Sequence, residues 1–307
     1  MSAPRLRIGT RGSRLARTQT DLVCRALAAA HPDLAAPGAL EVVVIRTTGD
    51  QITDRPLTEL GGKGLFCKEI EAALLERRID VAVHSTKDLP TWLPDGLVLG
   101  AVPEREDPRD VLIARTPAAI ADLPQAAVVG TASVRRMAQL LAHRPDLRVV
   151  NFRGNVDTRL RKLAAGEVDA TLLALAGLRR LGIAHAGVVL SPEEMLPAVG
   201  QGALGIECRA DDAASLARLA AINHPASSAC VRAERALLAA LDGSCHTPIA
   251  GYAEIAGGRL RLRALIARPD GSERLRAERV GPAEAGEALG HEVGLELRAR
   301  AGPGFFD

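Results

Sequence analysis

Short runs of β-branched and aliphatic residues alternate with helical patterns over the first two thirds of the chain. The runs predict strands at residues 6–9, 41–47, 80–84, 110–114, 127–130, 148–152 and 170–175. Apolar positions at helical spacing predict helices over residues 13–30, 66–77, 133–143 and 155–165, and the first and third begin with a serine that can cap a helix. This alternation is typical of α/β lobes around mainly parallel sheets, and its spacing favours two lobes.

The pattern changes after about residue 222. A long amphipathic helix over residues 227–241 precedes two strands around the turn Gly257-Gly258, a third strand, and a closing helix over residues 282–300, which is typical of a small α+β domain. The charged, proline-flanked segment 102–109 predicts a crossover between the lobes, with the return crossover near residues 191–201. We therefore predict domain 1 over residues 1–103 and 198–220, domain 2 over 104–197, and domain 3 over 221–307.

Residues 48–64 contain four glycines and show no apolar periodicity. Long loops of this kind inside a compact domain are usually functional lids or disordered segments. We expect a mobile flap over the cleft between the two lobes.

Composition excludes several classes of protein. A chain with 47% hydrophobic and 25% charged residues is ordinary for a globular protein. The apolar runs are far shorter than the roughly 20 residues of a membrane span, and the N-terminus lacks the apolar core of a signal peptide, so we expect a cytoplasmic protein with no membrane partner. The five scattered cysteines form no C-x-x-C pair and predict neither a disulfide framework nor a zinc site. A net charge of +2 and 2% aromatic residues argue against nucleic acid as a partner.

Cationic and hydroxyl side chains follow four of the predicted strands. The segments are TRGS at residues 10–13, STKD at 85–88, TASVRR at 131–136 and RGN at 153–155. Ligands of open α/β sheets bind beyond the carboxyl ends of the strands, and three of these segments open a helix, whose N-terminus also favours anions. One such segment alone is best explained as solvated surface, but four at equivalent positions predict a site for several carboxylates or phosphates.

Asp88 and Cys245 stand apart from this cationic background. Asp88 is a lone carboxylate where an anionic ligand would repel it, so it either caps or pairs locally or stabilises positive charge and moves a proton during a reaction. Cys245 lies in a glycine-containing turn between a helix and a strand, where a thiol is either structural or an accessible nucleophile.

Eight segments in order make the sequence resemble the hydroxymethylbilane synthase (porphobilinogen deaminase) family over nearly its full length. They are RIGTRGS at residues 7–13, GGKGLF at 61–66, VHSTKDLP at 83–90, GTASVRR at 130–136, RGNV at 153–156, AGLRRL at 176–181, VGQGA at 199–203 with ECR at 207–209, and GSCHTP at 243–248. The resemblance implies two lobes like those of periplasmic binding proteins around a cleft, and a small third domain. It also implies a dipyrromethane cofactor in thioether linkage to Cys245.

The resemblance also implies roles for individual residues. Asp88 corresponds to the catalytic carboxylate near the pyrrole nitrogens. The implied partners of the acetate and propionate groups are Arg11, Arg135, Arg136, Arg153, Arg159 and Arg180; the residues that complete the site are Ser13, Lys63, Ser85, Lys87, Thr131, Ser133 and Gln201. Two positions depart from many relatives: Glu59 is an acid in the flap where some have a base, and Ser244 replaces a frequent glycine beside Cys245.

The implied reaction joins four porphobilinogen molecules head to tail with loss of ammonia. The two-ring primer grows to six rings, and water releases the four-ring hydroxymethylbilane. The implied enzyme is a monomeric transferase of haem and porphyrin synthesis that needs no metal. The alternative is a non-catalytic two-lobed binding protein for a small polycarboxylate, which would carry no covalent adduct.

Overall fold

The computed structural model describes residues 6–51, 67–116, 119–184, 187–243 and 247–306. These residues divide into two compact units. The first comprises the described residues of Met1–Ile52, Gly62–Arg105 and Ala203–Ser228, and the second those of Thr53–Gly61, Glu106–Gly202 and Ala229–Asp307. The division into three domains stays a prediction.

The described strands and helices alternate along most of the chain. The strands are β1 Leu6–Arg11, β2 Leu40–Ile45, β3 Val81–Ser85, β4 Leu97–Ala101, β5 Asp110–Ala114, β6 Val128–Gly130, β7 Arg148–Val150, β8 Ala170–Ala174, β9 Val188–Val189, β10 Leu204–Arg209, β11 Ile249–Ala256, β12 Arg259–Ala267 and β13 Arg274–Pro282. The helices are α1 Arg14–Ala30, α2 Thr48–Gln51, α3 Lys68–Leu75, α4 Val134–His143, α5 Val156–Ala164, α6 Leu175–Arg180, α7 Ala213–Ala220, α8 Pro225–Ala240 and α9 Gly286–Ala301. No helix in the described ranges is long and apolar enough to cross a membrane.

The first unit is built on a five-stranded sheet in the order β2-β1-β3-β10-β4. Strand β1 runs parallel to β2 and β3, whereas β10 runs antiparallel to β3 and β4. Helix α1 packs its apolar side chains Val23 and Leu27 against the sheet, where they meet Ile8 and Ile206. Because β1 and β3 point the same way, the segments that follow them lie at the same edge of this sheet.

The second unit contains another five-stranded sheet, in the order β7-β6-β8-β5-β9. Strand β6 is parallel to β7 and β8, whereas β5 is antiparallel to β8 and β9. Asp110, the first residue of β5, therefore pairs with Ala174, the last residue of β8. An acidic side chain is thereby buried at the edge where three parallel strands end.

A three-stranded antiparallel sheet, β11-β12-β13, completes the second unit. Helices α8 and α9 bury Leu237, Val293 and Leu297 against it. The predicted turn between its first two strands is confirmed: Ala256 pairs with Arg259, and Gly257 and Gly258 both adopt positive φ, as a two-residue hairpin turn requires.

The structure confirms the predicted fold class, mixed α/β with two parallel-rich sheets and a small C-terminal α+β part. The serine caps are also confirmed, since Ser13 accepts a hydrogen bond from the amide of Ala16 and Ser133 from that of Arg136. The prediction of a loop from residue 48 was wrong at its start, because Thr48–Gln51 is helical and Glu69 accepts hydrogen bonds from Thr48. Residues 52–64 of the expected flap lie outside the described residues.

Candidate anion-binding and catalytic site

In the first unit, Arg11 and Ser13 lie where β1 passes into α1. The Ser13 hydroxyl caps the helix by accepting a hydrogen bond from the Ala16 amide at 3.2 Å. Ser85, at the end of the neighbouring strand β3, accepts a hydrogen bond from the side-chain amide of Gln19 on the same helix at 2.9 Å. The structure thus brings the two predicted serines to one edge, where Ser13 caps α1 and Ser85 is bonded to Gln19 of the same helix.

Asp88 and Lys87 lie in a single 3₁₀ turn, Thr86–Asp88, directly after β3. The amide of Thr86 donates to the carbonyl of Ala203 at 3.0 Å, and the Cys67 thiol donates to the carbonyl of Asp88 at 3.6 Å. The backbone is therefore fixed, while the Asp88 side chain remains half-buried. The pKa of the Cys67 thiol is raised by burial and by nearby acids including Asp88, and it is lowered by Arg11. Arg11 and Asp88 therefore share one electrostatic neighbourhood.

In the second unit, Thr131 and Ser133 form the approach to α4. The Ser133 amide donates to the Thr131 hydroxyl at 3.1 Å, and the Ser133 hydroxyl accepts from the amide of Arg136 at 3.4 Å. These bonds fix the first turn of the helix, which carries both arginines of the predicted TASVRR segment. The hydroxyl groups therefore organise this edge, and their contact with a ligand stays a prediction.

Asp110 anchors three of the predicted site residues. Its carboxylate accepts hydrogen bonds from Arg135 at 2.8 Å, from Arg136 at 2.7 and 3.1 Å, and from Gln201 at 2.9 Å. Burial raises the pKa of Asp110, but the two guanidinium groups outweigh burial and hold it well below its usual range. Sequence reasoning missed this residue, because an acid that begins an apolar strand resembles a surface cap or turn residue.

Arg135 and Arg136 are accordingly placed inside the protein rather than on an open surface. Only 4% and 5% of their areas are exposed, and each also donates to a backbone carbonyl, Arg135 to Leu196 and Arg136 to Leu172. Several of their donors are therefore used within the fold. Direct contact of either guanidinium with a ligand carboxylate stays a prediction.

Three positive groups gather at the same edge around Arg159. Its Nε donates to the carbonyl of Gly154 at 2.8 Å. Burial lowers the pKa of Arg159 to about 10, with further lowering from Arg136 and Arg153. We call Arg136, Arg153 and Arg159 the arginine cluster. Mutual repulsion of this kind is relieved by an anion, and forked guanidinium groups suit carboxylates.

Arg180 and Gln201 extend this edge through the segment around Gly202. Arg180 donates to the Gly202 carbonyl at 2.7 Å, while Gln201 donates to the Pro108 carbonyl at 2.7 Å. Burial lowers the pKa of Arg180, and Glu106 opposes this shift. Lys63 and Cys245, the remaining predicted site residues, lie outside the described residues.

Comparison with known families identifies the family to which the chain belongs. The model described as "Porphobilinogen deaminase, dipyromethane cofactor binding domain" matches residues 6–217, and the model "Porphobilinogen deaminase, C-terminal domain" matches residues 228–299. The chain belongs to the porphobilinogen deaminase family. The family resemblance predicted from the sequence, its function in tetrapyrrole synthesis and its dipyrromethane cofactor are thereby confirmed.

Porphobilinogen deaminases similar to this chain come from bacteria and plants. The protein of Paracoccus denitrificans is 58% identical over 303 residues, which cover 98% of this chain and 96% of that protein. The chloroplastic protein of Oryza sativa is 53% identical and that of Pisum sativum 50%, each over 98% of this chain and over 86% and 83% of the relative. Among solved structures, the aliphatic sulphonate-binding protein SsuA of Escherichia coli is 16% identical, with a TM-score of 0.41 over 78% of this chain and 71% of that chain.

The arginine cluster supplies a test of whether these residues fit the family's cofactor. A dipyrromethane carries several carboxylates, and the cluster places like charges together at one sheet edge. Since forked guanidinium groups bind carboxylates in pairs of hydrogen bonds, the donor set fits such a group.

Proposed function

We propose that this member of the porphobilinogen deaminase family is a transferase that condenses four porphobilinogen molecules into hydroxymethylbilane on a primer attached through Cys245. The observation that supports the proposal most is the arginine cluster, whose like charges lie together although the whole chain carries a net charge of only +2. Porphobilinogen has two carboxylates, so a chain of six rings would present twelve.

The arginines bind and orient the carboxylates. In this proposal, Arg153 and Arg159 contact the carboxylates directly. Arg136, which is buried and paired with Asp110, contributes to the positive potential without direct contact. Arg180 extends the cationic edge towards Gly202. The remaining predicted contacts are assigned to Arg11, Ser13, Lys63, Ser85, Lys87, Thr131, Ser133, Arg135 and Gln201. A bound dipyrromethane would supply a free pyrrole α-carbon as the nucleophile.

Asp88 acts on the incoming substrate. When the amino group of the aminomethyl substituent of porphobilinogen leaves as ammonia, the methylene carbon remains as a cation delocalised onto the pyrrole nitrogen. The Asp88 carboxylate accepts a hydrogen bond from the pyrrole N–H and stabilises this charge, and after the new C–C bond has formed it takes up the proton that the coupled ring must lose. The fixed backbone of the Thr86–Asp88 turn supports this role, because electrostatic stabilisation depends on a charge that is already in position.

The narrower expectations about partners and location belong to the same proposal. Porphobilinogen would be the substrate and sole small-molecule partner, and the protein would act as a monomer in the cytoplasm. The alternative, a binding protein without chemistry, would retain porphobilinogen unchanged.

Ammonia release and product analysis test this function. Purified protein mixed with porphobilinogen is expected to release one ammonia for each substrate consumed and to form a linear four-ring product. Saturable porphobilinogen binding without ammonia release would contradict the proposal and favour the binding protein.

A further inference from the structure

Three buried ionisable side chains lie next to the Thr86–Asp88 turn, and the proposed reaction does not use them. Glu71 comes from α3, His84 from β3 and Glu207 from β10, with exposed fractions of 6%, 5% and 0%. His84 Nε2 lies 3.2 Å from Glu207 Oε2. We call these three residues the buried acid–histidine cluster.

The carboxylates of this cluster lack the hydrogen bonds that buried carboxylates normally receive. Within the described part of the chain, neither oxygen of Glu207 accepts a hydrogen bond, and neither does Oε1 of Glu71. An ionised carboxylate that is buried without donors is strongly disfavoured, so such groups retain a proton.

The surroundings of Glu71 favour its protonated form. Burial and the charge of Glu207 raise the pKa of Glu71 to about 7, while His84 and Lys68 lower it. The strand β10 also carries the buried Arg209, which donates to the carbonyl of Leu74 in α3 and to Asp212. Strand β1 brings Arg7, which pairs with Asp80, and Arg11 near Cys67, whereas β4 carries no ionisable side chain. Glu71 therefore holds a proton on the acid side of neutral pH and loses it on the alkaline side.

The cluster is coupled to Asp88 through the elements that hold the turn. Cys67 precedes α3, and its thiol donates to the Asp88 carbonyl. The acids Glu71, Asp88 and Glu207 all raise the pKa of this thiol, after burial. The charges of Glu71 and Glu207 and the charge of Asp88 therefore act on the same thiol.

We propose that Glu71, His84 and Glu207 are positioning residues that share buried protons and hold the turn bearing Asp88. This inference rests on the proposed role of Asp88. Loss of the Glu71 proton adds a negative charge beside Glu207 in a buried site where Glu71 Oε1 receives no hydrogen bond, which loosens the turn and moves the Asp88 carboxylate away from the substrate. The cluster thereby sets an upper pH limit for turnover.

Infrared difference spectra recorded across a pH titration test the shared proton directly. The parent protein is expected to show a protonated-carboxyl C=O band that disappears near pH 7. Glu71→Gln should remove this band, while Glu76→Gln, an exposed change just beyond the same helix, should leave it. Glu207→Gln should move the transition to lower pH, and His84→Asn should move it to higher pH, because these partners act on Glu71 in opposite directions. A parent protein without the band, or a band that persists in Glu71→Gln, would overturn the shared proton.

The pH profile of turnover tests the link to Asp88. Glu71→Gln keeps the neutral form of the side chain, so its turnover at slightly acid pH should stay within about threefold of the parent, and its alkaline decline should shift upward. An alkaline decline identical to that of the parent would exclude the positioning role. The infrared band requires no turnover, so failure of this inference and failure of the proposed function give different results.

Discussion

Asp88 is the residue on which the proposed chemistry depends most. Asp88→Asn keeps the size and polarity of the side chain but removes its charge, so turnover should fall by about 10² to 10⁴. The rate of ammonia release from porphobilinogen measures this change. Asp95→Asn, an exposed acid seven residues later, is the matched control and should react at the parental rate. A rate for Asp88→Asn within tenfold of the parent would count against a role in stabilising the cation.

Asp110 is the residue on which the buried arginine pair depends. Asp110→Asn leaves Arg135 and Arg136 without their buried counter-charge, so the free energy of unfolding should fall by about 3–5 kcal/mol. Denaturant unfolding of the variant and of Asp122→Asn, an exposed control, measures the difference. Equal denaturation midpoints for the two variants would show that the charge of Asp110 contributes nothing to stability.

The pH dependence of the stability that Asp110 contributes follows from the direction of its pKa shift. The pKa of Asp110 is lowered in the folded protein, so its contribution to stability is fully present above the ordinary carboxyl pKa. It is lost as the pH falls below that range and the carboxylate is protonated. The stability difference between the parent and Asp110→Asn should therefore narrow in acid, and a constant difference would contradict the assignment.

Residue types at the site could be predicted from the sequence better than their contacts. Cations and hydroxyls at the carboxyl ends of strands follow from local patterns, and the structure places Arg11, Ser85, Ser133 and Arg153 there. Asp110 could not be found in this way, because its role depends on an antiparallel pairing with Ala174, sixty-four residues away in the chain. A buried acid has no local signal that separates it from a capping residue.

At the scale of elements, Gly202 holds the segment before β10 against the crossover segment. It has a φ of +86°, and an added Cβ would lie 2.2 Å from the carbonyl oxygen of Glu106. Gly257 also has positive φ, but nothing lies within 4 Å of its Cβ position. Gly257→Ala should therefore cost about 1 kcal/mol of stability and Gly202→Ala several times more, as measured by denaturant unfolding. Equal losses of stability in the two variants would show that the backbones at Gly202 and Glu106 can move apart at no cost in free energy.

Elements with a regular pattern could be predicted, but a strand whose apolar pattern is interrupted by buried charged residues could not. The hairpin at Gly257 and the helices capped by serine follow from short-range rules. Strand β10 was missed because its Glu207 and Arg209 are buried and interrupt the apolar pattern. Arg209 is tolerated there because it donates to the carbonyls of Leu74 and Ile79 and to Asp212, contacts that arise only in the folded chain.

At the scale of the whole molecule, parallel strand order explains why motifs that are distant in the chain meet at one sheet edge within each unit. In each unit the segments that follow parallel strands meet at one edge, one with Asp88 and the other with the arginine cluster. This much could be predicted, since it needs only strand direction. The three-domain division and the relation of Cys245 to Asp88 stay predictions, because they depend on contacts between distant parts of the chain.

Intact-mass spectrometry of the purified protein tests both the attachment of the primer to Cys245 and the stepwise growth of the pyrrole chain. The protein should be heavier than its 32.2 kDa sequence mass by one two-ring primer, and porphobilinogen should add further rings stepwise, up to four. Cys245→Ala should have the bare sequence mass, whereas Cys24→Ala, a control at a half-buried thiol, should keep the primer. A parent protein at the bare mass that gains no rings, or a primer that persists in Cys245→Ala, would contradict the account.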